Sequence, residues 1–210
     1  MNEYQEEIQE RGITRLCHFT KSSNLPFILG DGQAERNGIL STNYIQQSSY
    51  LEQLDKKRLD GHLDYVCCSV QQVNERYFYI RQQAAHEDLF HQWAIIYISP
   101  SIINGTTNFS PVNAATARGA NIKSGISAFR GIFADPITYY RGIQICRKIR
   151  EPNLPANLPT DSQAEVLIKE KVPKDKIIGV AFPEETYKVE KQRLSFCLGK
   201  MDIEVTSVKI

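Results

Sequence analysis

The sequence predicts an α+β fold, with helices early and antiparallel strands late, on three observations. Short β-favouring apolar runs recur along the chain, amphipathic helical patterns concentrate before residue 90, and a stretch rich in Gly, Asn, Ala and Pro fills 104–159. At 210 residues the chain can bury a real core without disulfides or metals, and it reads as a single domain over 1–210.

Taken in order, the acidic lead-in MNEYQEEIQERG forms one short helix, and Arg15-Leu-Cys-His-Phe-Thr20 has the composition of a first strand. Lys21 to Leu29 reads as a helix: Ser22 or Ser23 caps it, Pro26 fits its first turn, and Gly30 with Gly32 ends it. Asn37-Gly38 is a turn signal, after which Gly38 to Ser41 runs extended. Ser48 to Arg58 is a weakly amphipathic helix with Leu51 and Leu54, and Tyr65 to Val70 is a short strand. Arg76 to Ala85 suits either helix or strand, its polar continuation favouring helix. Trp93 to Ser99 is the clearest buried strand and should lie centrally in a sheet.

Loops are expected to dominate 104–159, with Ser127 to Phe133 the one compact apolar patch that docks on the core. Three prolines within Pro152–Pro159 forbid regular helix and require an extended loop. That loop leads into a strand over Gln163–Ile168, and Ile177–Phe182, Leu194–Cys197 and Ile203–Val208 supply further strands.

Bulk properties exclude several function classes. No apolar run approaches the roughly 20 residues that span a bilayer, and the amino terminus lacks the basic start and apolar stretch of a secretory signal. Five cysteines, an odd number with Cys67 and Cys68 adjacent, fit a reducing cytoplasm. The four histidines are scattered and no CxxC or HxxxH spacing occurs, so no metal is expected. A net charge of +1 argues against coating nucleic acid by charge alone. Arg118, Lys123, Arg130, Arg141, Arg147, Lys148 and Arg150 stand against the single acid Asp135 within 118–150, which forms either a basic face or solvated charges spread around the fold.

Glu165 stands alone among apolar neighbours, just after the proline-rich loop and on the same strand face as Gln163. It is either the polar face of a half-exposed strand or a catalytic carboxylate held on rigid scaffold beside an adaptable loop. His18, between Cys17 and Phe19, reads alone as a core histidine, and Arg58 alone as a surface charge ending a helix.

The order of short motifs changes that weighing. Cys17-His-Phe-Thr20, Asn24-Leu25, Ile28-Leu29, Asn37-Gly-Ile-Leu-Ser41 and Gln163-Ala-Glu165 together resemble the DarT family of DNA ADP-ribosyltransferase toxins. Arg58 ahead of Tyr65-Val66, the run Tyr77-Phe-Tyr79, Trp93, Asn113-Ala-Ala115, and Val172-Pro173 before Ile177-Ile178 extend the likeness over most of the chain, nearer the guanine-modifying branch than the thymine-modifying one.

The resemblance implies a split, mostly antiparallel β-core with an NAD⁺ cleft. It makes Glu165 the catalytic carboxylate that binds the ribose 2′-hydroxyl and stabilises oxocarbenium charge. It places His18 and Thr20 on the adenosine-side ribose and the nicotinamide end, Asn24 on NAD⁺, and Tyr77 and Tyr79 against nicotinamide. Arg58 would neutralise the pyrophosphate and assist acceptor activation, Gln163 would orient the acceptor, and the proline-rich loop would read the target. Arg141 and Arg147 would grip the backbone of single-stranded DNA. The implied role is the toxin of a toxin–antitoxin or phage-defence system, with a macrodomain antitoxin as partner. The same chemistry on RNA, such as messenger RNA, stays open. A noncatalytic nucleic-acid-binding module of this fold is the third class, against which intact Glu165 and His18 argue.

Overall fold

The computed structural model describes residues 2–30, 38–45, 58–84, 92–200 and 202–209. The helix expected over Ser48–Arg58, apart from Arg58 itself, and the turn residue Asn37 lie outside them. The acidic lead-in forms helix α1 (Glu3–Arg11), capped by the Asn2 side chain accepting from Gln5 N and closed by Gly12 in the left-handed region at φ 68. Strands β1 (Leu16–Lys21), β3 (Tyr65–Val70), β4 (Trp93–Ile98), β9 (Glu165–Lys169), β11 (Ile177–Pro183) and β12 (Glu204–Val208) fall close to the expected runs.

Between Lys21 and Gly30 a 3-10 turn (Ser22–Asn24) precedes helix α2 (Leu25–Leu29), with Pro26 in its first turn as expected. The serines do not cap it. Asn24 occupies the cap position with a helical backbone and makes no capping bond; its Nδ2 donates to Thr20 Oγ1. Strand β2 (Ile39–Leu40), paired with β10 (Lys171–Val172), follows Gly38, whose φ of 93 and closeness to the Val172 carbonyl, 2.1 Å from any added Cβ, admit only glycine. Helix α3 (Glu75–Ala84) resolves the ambiguous aromatic run, with the Asn74 side chain accepting from Tyr77 N at its start.

One element differs in type from the expectation. Leu194–Cys197 belongs to helix α5 (Tyr187–Leu198): Leu194 is fully buried while Phe196 is 81% exposed, whereas a strand would put both on one face. A four-residue apolar run is too short to separate the two periodicities. Because α5 is a helix, it forms a crossover, and β11 pairs with β12 in parallel. The 104–159 segment also carries more regular structure than its composition suggests: β5 (Asn108–Ser110), β6 (Lys123–Ser124), helix α4 (Ile126–Gly131) and a hairpin of β7 (Ile137–Arg141) with β8 (Gln144–Lys148). Within it Phe129, Ile132 and Phe133 dock on the core as expected, Phe129 stacking on Phe109. The Pro152–Pro159 loop is irregular, braced by the Arg150 guanidinium donating to the carbonyls of Leu154, Pro155 and Leu158.

Among the described residues the main sheet runs β12-β11-β4-β1-β3-β9-β5-β6, every neighbouring pair antiparallel but β11–β12, and β4 is internal as expected. This sheet is split. β1 pairs with β3 only at Leu16↔Val70 and Cys17↔Ser69, after which β1 follows β4 and β3 follows β9. The site lies where the two strands part.

Candidate active site

The parting strands open a cavity of about 590 Å³, within the roughly 300–1,000 Å³ usual for small-molecule sites. His18 and Thr20 line it from β1, Asn24 from the following turn, and Cys67 from β3. Tyr77 lines it from α3, Tyr139 and Arg141 from β7, and Gln163 and Glu165 from the head of β9. Residues as far apart in sequence as His18 and Glu165 therefore share one wall.

Glu165 opens β9, paired with Ser110 of β5, and is 9% exposed. Its Oε1 accepts from Asn113 Nδ2 at 2.7 Å and from Ala114 N at 3.3 Å. Burial pushes its carboxyl up to about 7 against the opposing pull of Cys67 and the Ala114 N–H; Asp60 raises it further and Arg58 lowers it. A carboxylate so desolvated and oriented is suited to a cation forming beside it. Gln163 does not share its strand. It sits in the turn before β9, its N donating to Asp161 Oδ1 at 2.8 Å, and reaches the cavity by that turn rather than by strand alternation.

His18 bridges the split: Nδ1 donates to the Cys67 carbonyl at 2.8 Å. Burial lowers its pKa, the Cys67 bond opposes this, and Arg58 adds to it, so the ring is neutral near pH 7 with Nε2 as acceptor. The Asn24–Thr20 bond ties the two small polar groups beside it.

Arg58 is placed in the cavity wall but is heavily engaged. Its guanidinium grips Asp60 with Nε (3.1 Å) and Nη2 (2.7 Å), and donates to the carbonyls of Tyr65 and His62, both at 2.7 Å. Burial opposes the ionised form of Asp60, but Arg58 holds the carboxyl below the usual range. The arginine has φ 29, an uncommon left-handed backbone for a side-chain-bearing residue. Asp60 also accepts from His62 N and takes the Cys67 thiol at 3.8 Å, and the Asp60 carbonyl lies 2.4 Å from where a Cβ on Gly119 would stand. The Arg58–Asp60 loop thus docks on the loop that presents Asn113 to Glu165.

Not every expected residue reaches the cavity. Tyr77 does, its ring 5.6 Å from Phe19, but Tyr79 is 61% exposed, since residues two apart diverge on a helix; Ile80 and Arg76 line the wall instead. The basic segment splits likewise. Arg130 bonds Glu7, Lys148 bonds Asp161 at 2.9 Å, and Arg150 braces its loop, while Arg118, Lys123, Arg141 and Arg147 stay exposed. Arg147 lies on the hairpin face away from the cavity. Asp60, Cys67, Asn113 and Asp161 were not singled out as site residues by sequence; Asp60, two residues after Arg58, carried the clearest signal. Among the described residues no three His, Cys, Asp or Glu side chains gather as a metal site, and no helix is long and apolar enough to cross a membrane.

A family model described as "ssDNA thymidine ADP-ribosyltransferase, DarT" matches residues 17–204. The chain belongs to the DarT family. Membership makes it an NAD⁺-dependent DNA ADP-ribosyltransferase, with NAD⁺ as co-substrate. Among solved structures, Thermus sp. 2.9 DarT in complex with ADP-ribosylated ssDNA aligns with TM-score 0.60 and 14% identity, over 94% of this chain and 95% of that one. Thermus sp. 2.9 DarT in complex with NAD⁺ gives 0.56 and 14%, over 93% and 96%. Thermosipho africanus DarTG in complex with ADP-ribose gives 0.55 and 13%, over 92% of this chain and 50% of that one. At such identity these likenesses show the DarT fold, a split core included. No curated protein matches the chain in sequence.

Proposed function

We propose that this DarT-family chain transfers ADP-ribose from NAD⁺ to guanine in single-stranded DNA and acts as a toxin held in check by a macrodomain antitoxin that removes the mark. The observation that carries the reading is Glu165, buried and doubly hydrogen-bonded at the head of β9 in the wall of the cleft. In the transfer the bond from ribose C1′ to the nicotinamide nitrogen breaks, and nicotinamide leaves neutral with the electron pair. Positive charge develops on the ribose facing the Glu165 carboxylate, and a base nitrogen attacks C1′ and gives up its proton. His18 Nε2 accepts from a ribose hydroxyl, and Thr20 and Asn24 supply further polar contacts beside it. Gln163 and Arg141, at the β7 side of the cleft, orient the acceptor and its backbone.

A single strand is the acceptor because a base inside a duplex cannot reach a walled cleft without being unpaired. Guanine rests on the motif resemblance, while the family description names thymidine. The macrodomain partner rests on the likeness to the Thermosipho DarTG chain, twice the aligned length. Mass spectrometry of single-stranded DNA and RNA oligonucleotides incubated with NAD⁺ tests the reading. A gain of one ADP-ribose on DNA, localised by fragmentation to guanine, is the expected result. An adduct on thymine, on RNA alone, or on nothing rejects in turn the base, the polymer and the activity.

The basic residues give a second expectation. Arg141→Glu weakens oligonucleotide binding several-fold more near 50 mM salt than near 200 mM, through lost phosphate contact. Arg147→Glu, on the outer face, acts less. Titration by fluorescence anisotropy at the two salt concentrations checks this, and salt-independent loss would remove Arg141 from the backbone path.

A further inference from the structure

The hairpin of β7 and β8 presents its two faces very differently. Antiparallel partners directly opposite each other share a face, and the pairs are Ile137↔Lys148, Tyr139↔Cys146 and Arg141↔Gln144. Ile137 is buried, Tyr139, Cys146 and Lys148 are half-buried, and on the other face Thr138, Tyr140, Ile145 and Arg147 are all exposed. The inner face is fixed against the body at two points. Lys148 reaches Asp161, the residue that accepts the Gln163 N–H, and Asn121 exchanges two hydrogen bonds with the Tyr140 backbone. Tyr139 lies two cross-strand pairs further toward the hairpin tip than the lysine, about 7 Å along the strand. Its side chain lines the same cavity as Gln163, Arg141 and Glu165.

That position differs from that of the other aromatic groups in the cleft. Phe19 packs against Tyr77, Phe78 and Trp93, so those rings form a wall that stabilises the fold. No ring, cation or hydrogen bond among the described residues engages the Tyr139 side chain. An aromatic ring held on a rigid strand, facing a cavity and left unstacked, offers a π-face for a planar ligand, and a base removed from its stack needs one.

We propose that Tyr139 is the acceptor-side platform on which the target base stacks, next to Gln163 and Arg141. This rests on the reading that the acceptor is a base in a single strand. Tyr139 then holds the base plane, Gln163 meets its edge, and Arg141 follows the phosphate, while NAD⁺ is bound by groups on β1 and the turn after it.

The test is transfer to a randomised single-stranded DNA pool and to NAD⁺-saturated defined oligonucleotides, by the full chain and by Tyr139→Phe, Tyr139→Leu and Tyr139→Ala. Phe keeps the π-face and is expected to retain kcat/KM for DNA within about twofold, while Ala and Leu lose roughly 5- to 150-fold, the range for one base–aromatic stack. KM for NAD⁺ and the thermal midpoint stay as in the parent for all three. Leu, which fills the volume without a π-face, separates stacking from packing. Full transfer by Leu or Ala overturns the platform, as does a matching rise in KM for NAD⁺, which would put Tyr139 on the NAD⁺ side. If the parent chain modifies no oligonucleotide, the acceptor reading itself falls, and this inference with it.

Discussion

Replacing Glu165 by Gln is expected to reduce transfer roughly 10³-fold and, at pH 8, to stabilise the fold by about 3 kcal/mol. The activity loss follows from removing the charge that faces the developing oxocarbenium ion while keeping the shape: a Gln Oε1 still accepts from Asn113 Nδ2 and Ala114 N. The stability gain follows from the raised carboxyl. In the unfolded chain Glu165 ionises near 4.5, in the folded chain near 7. Between those values the folded state holds the extra proton, so stability falls as pH rises, and above about 7 the loss is complete. The gain from Gln is therefore absent below about pH 4, grows through the interval, and levels off above about pH 8. Urea unfolding of both chains across this range measures it. A constant difference at all pH values would show that Glu165 is not ionising as a buried group. If Glu165 acts as the proposed carboxylate, kcat/KM for NAD⁺ is expected to rise with pH through the region near 7, which a pH–rate profile checks.

Asp60→Ala is expected to cost about 3–5 kcal/mol, enough to lower the thermal midpoint by roughly 6–20 °C in a chain of this size. The side chains of Arg58 and Asp60 are 11% and 5% exposed, and removing the aspartate leaves a guanidinium without its bidentate partner in a largely dry wall. Burial and pairing both act on Asp60, so the cost is that of stranding a charge, not the worth of one surface ion pair. The double variant Arg58→Ala/Asp60→Ala should recover part of the loss, because no unpaired charge then remains. Calorimetry of the three variants decides it: a single-variant loss under about 1 kcal/mol, or a double variant worse than the sum, would show that the pair is not the clamp on this loop. The clamp also bears on chemistry, since the charges of Asp60 and Arg58 both act on Glu165, and their loop abuts the one carrying Asn113.

Both variants touch residues whose roles were legible to different degrees. The strands at Tyr65–Val70, Trp93–Ile98 and Ile177–Pro183 could be read from composition because each is bounded by turn signals and buried on at least one face, so local pattern and tertiary need agree. Leu194–Cys197 could not, since four apolar residues satisfy both periods and only packing of Leu194 chose the helix. Tyr79 failed for a related reason: adjacency in sequence does not survive a helical turn, and its neighbour Ile80 took the cavity side.

The sequence by itself determined the fold class, the positions of most strands, the family through the motifs around His18 and Gln163–Glu165, and thereby the reaction class, and it singled out Glu165 as the candidate carboxylate. These are properties of local pattern, in which the chemistry of a residue and its spacing to neighbours carry the information. Only the tertiary structure decided where β1 and β3 part to make the cleft, that Asp60 binds Arg58, that Asn113 orients Glu165, and that Tyr139 and Arg141 face inward while Arg147 faces out. Each of those depends on which distant backbone lies alongside, and strand pairing sets side-chain facing by a register that a single residue's slip would invert.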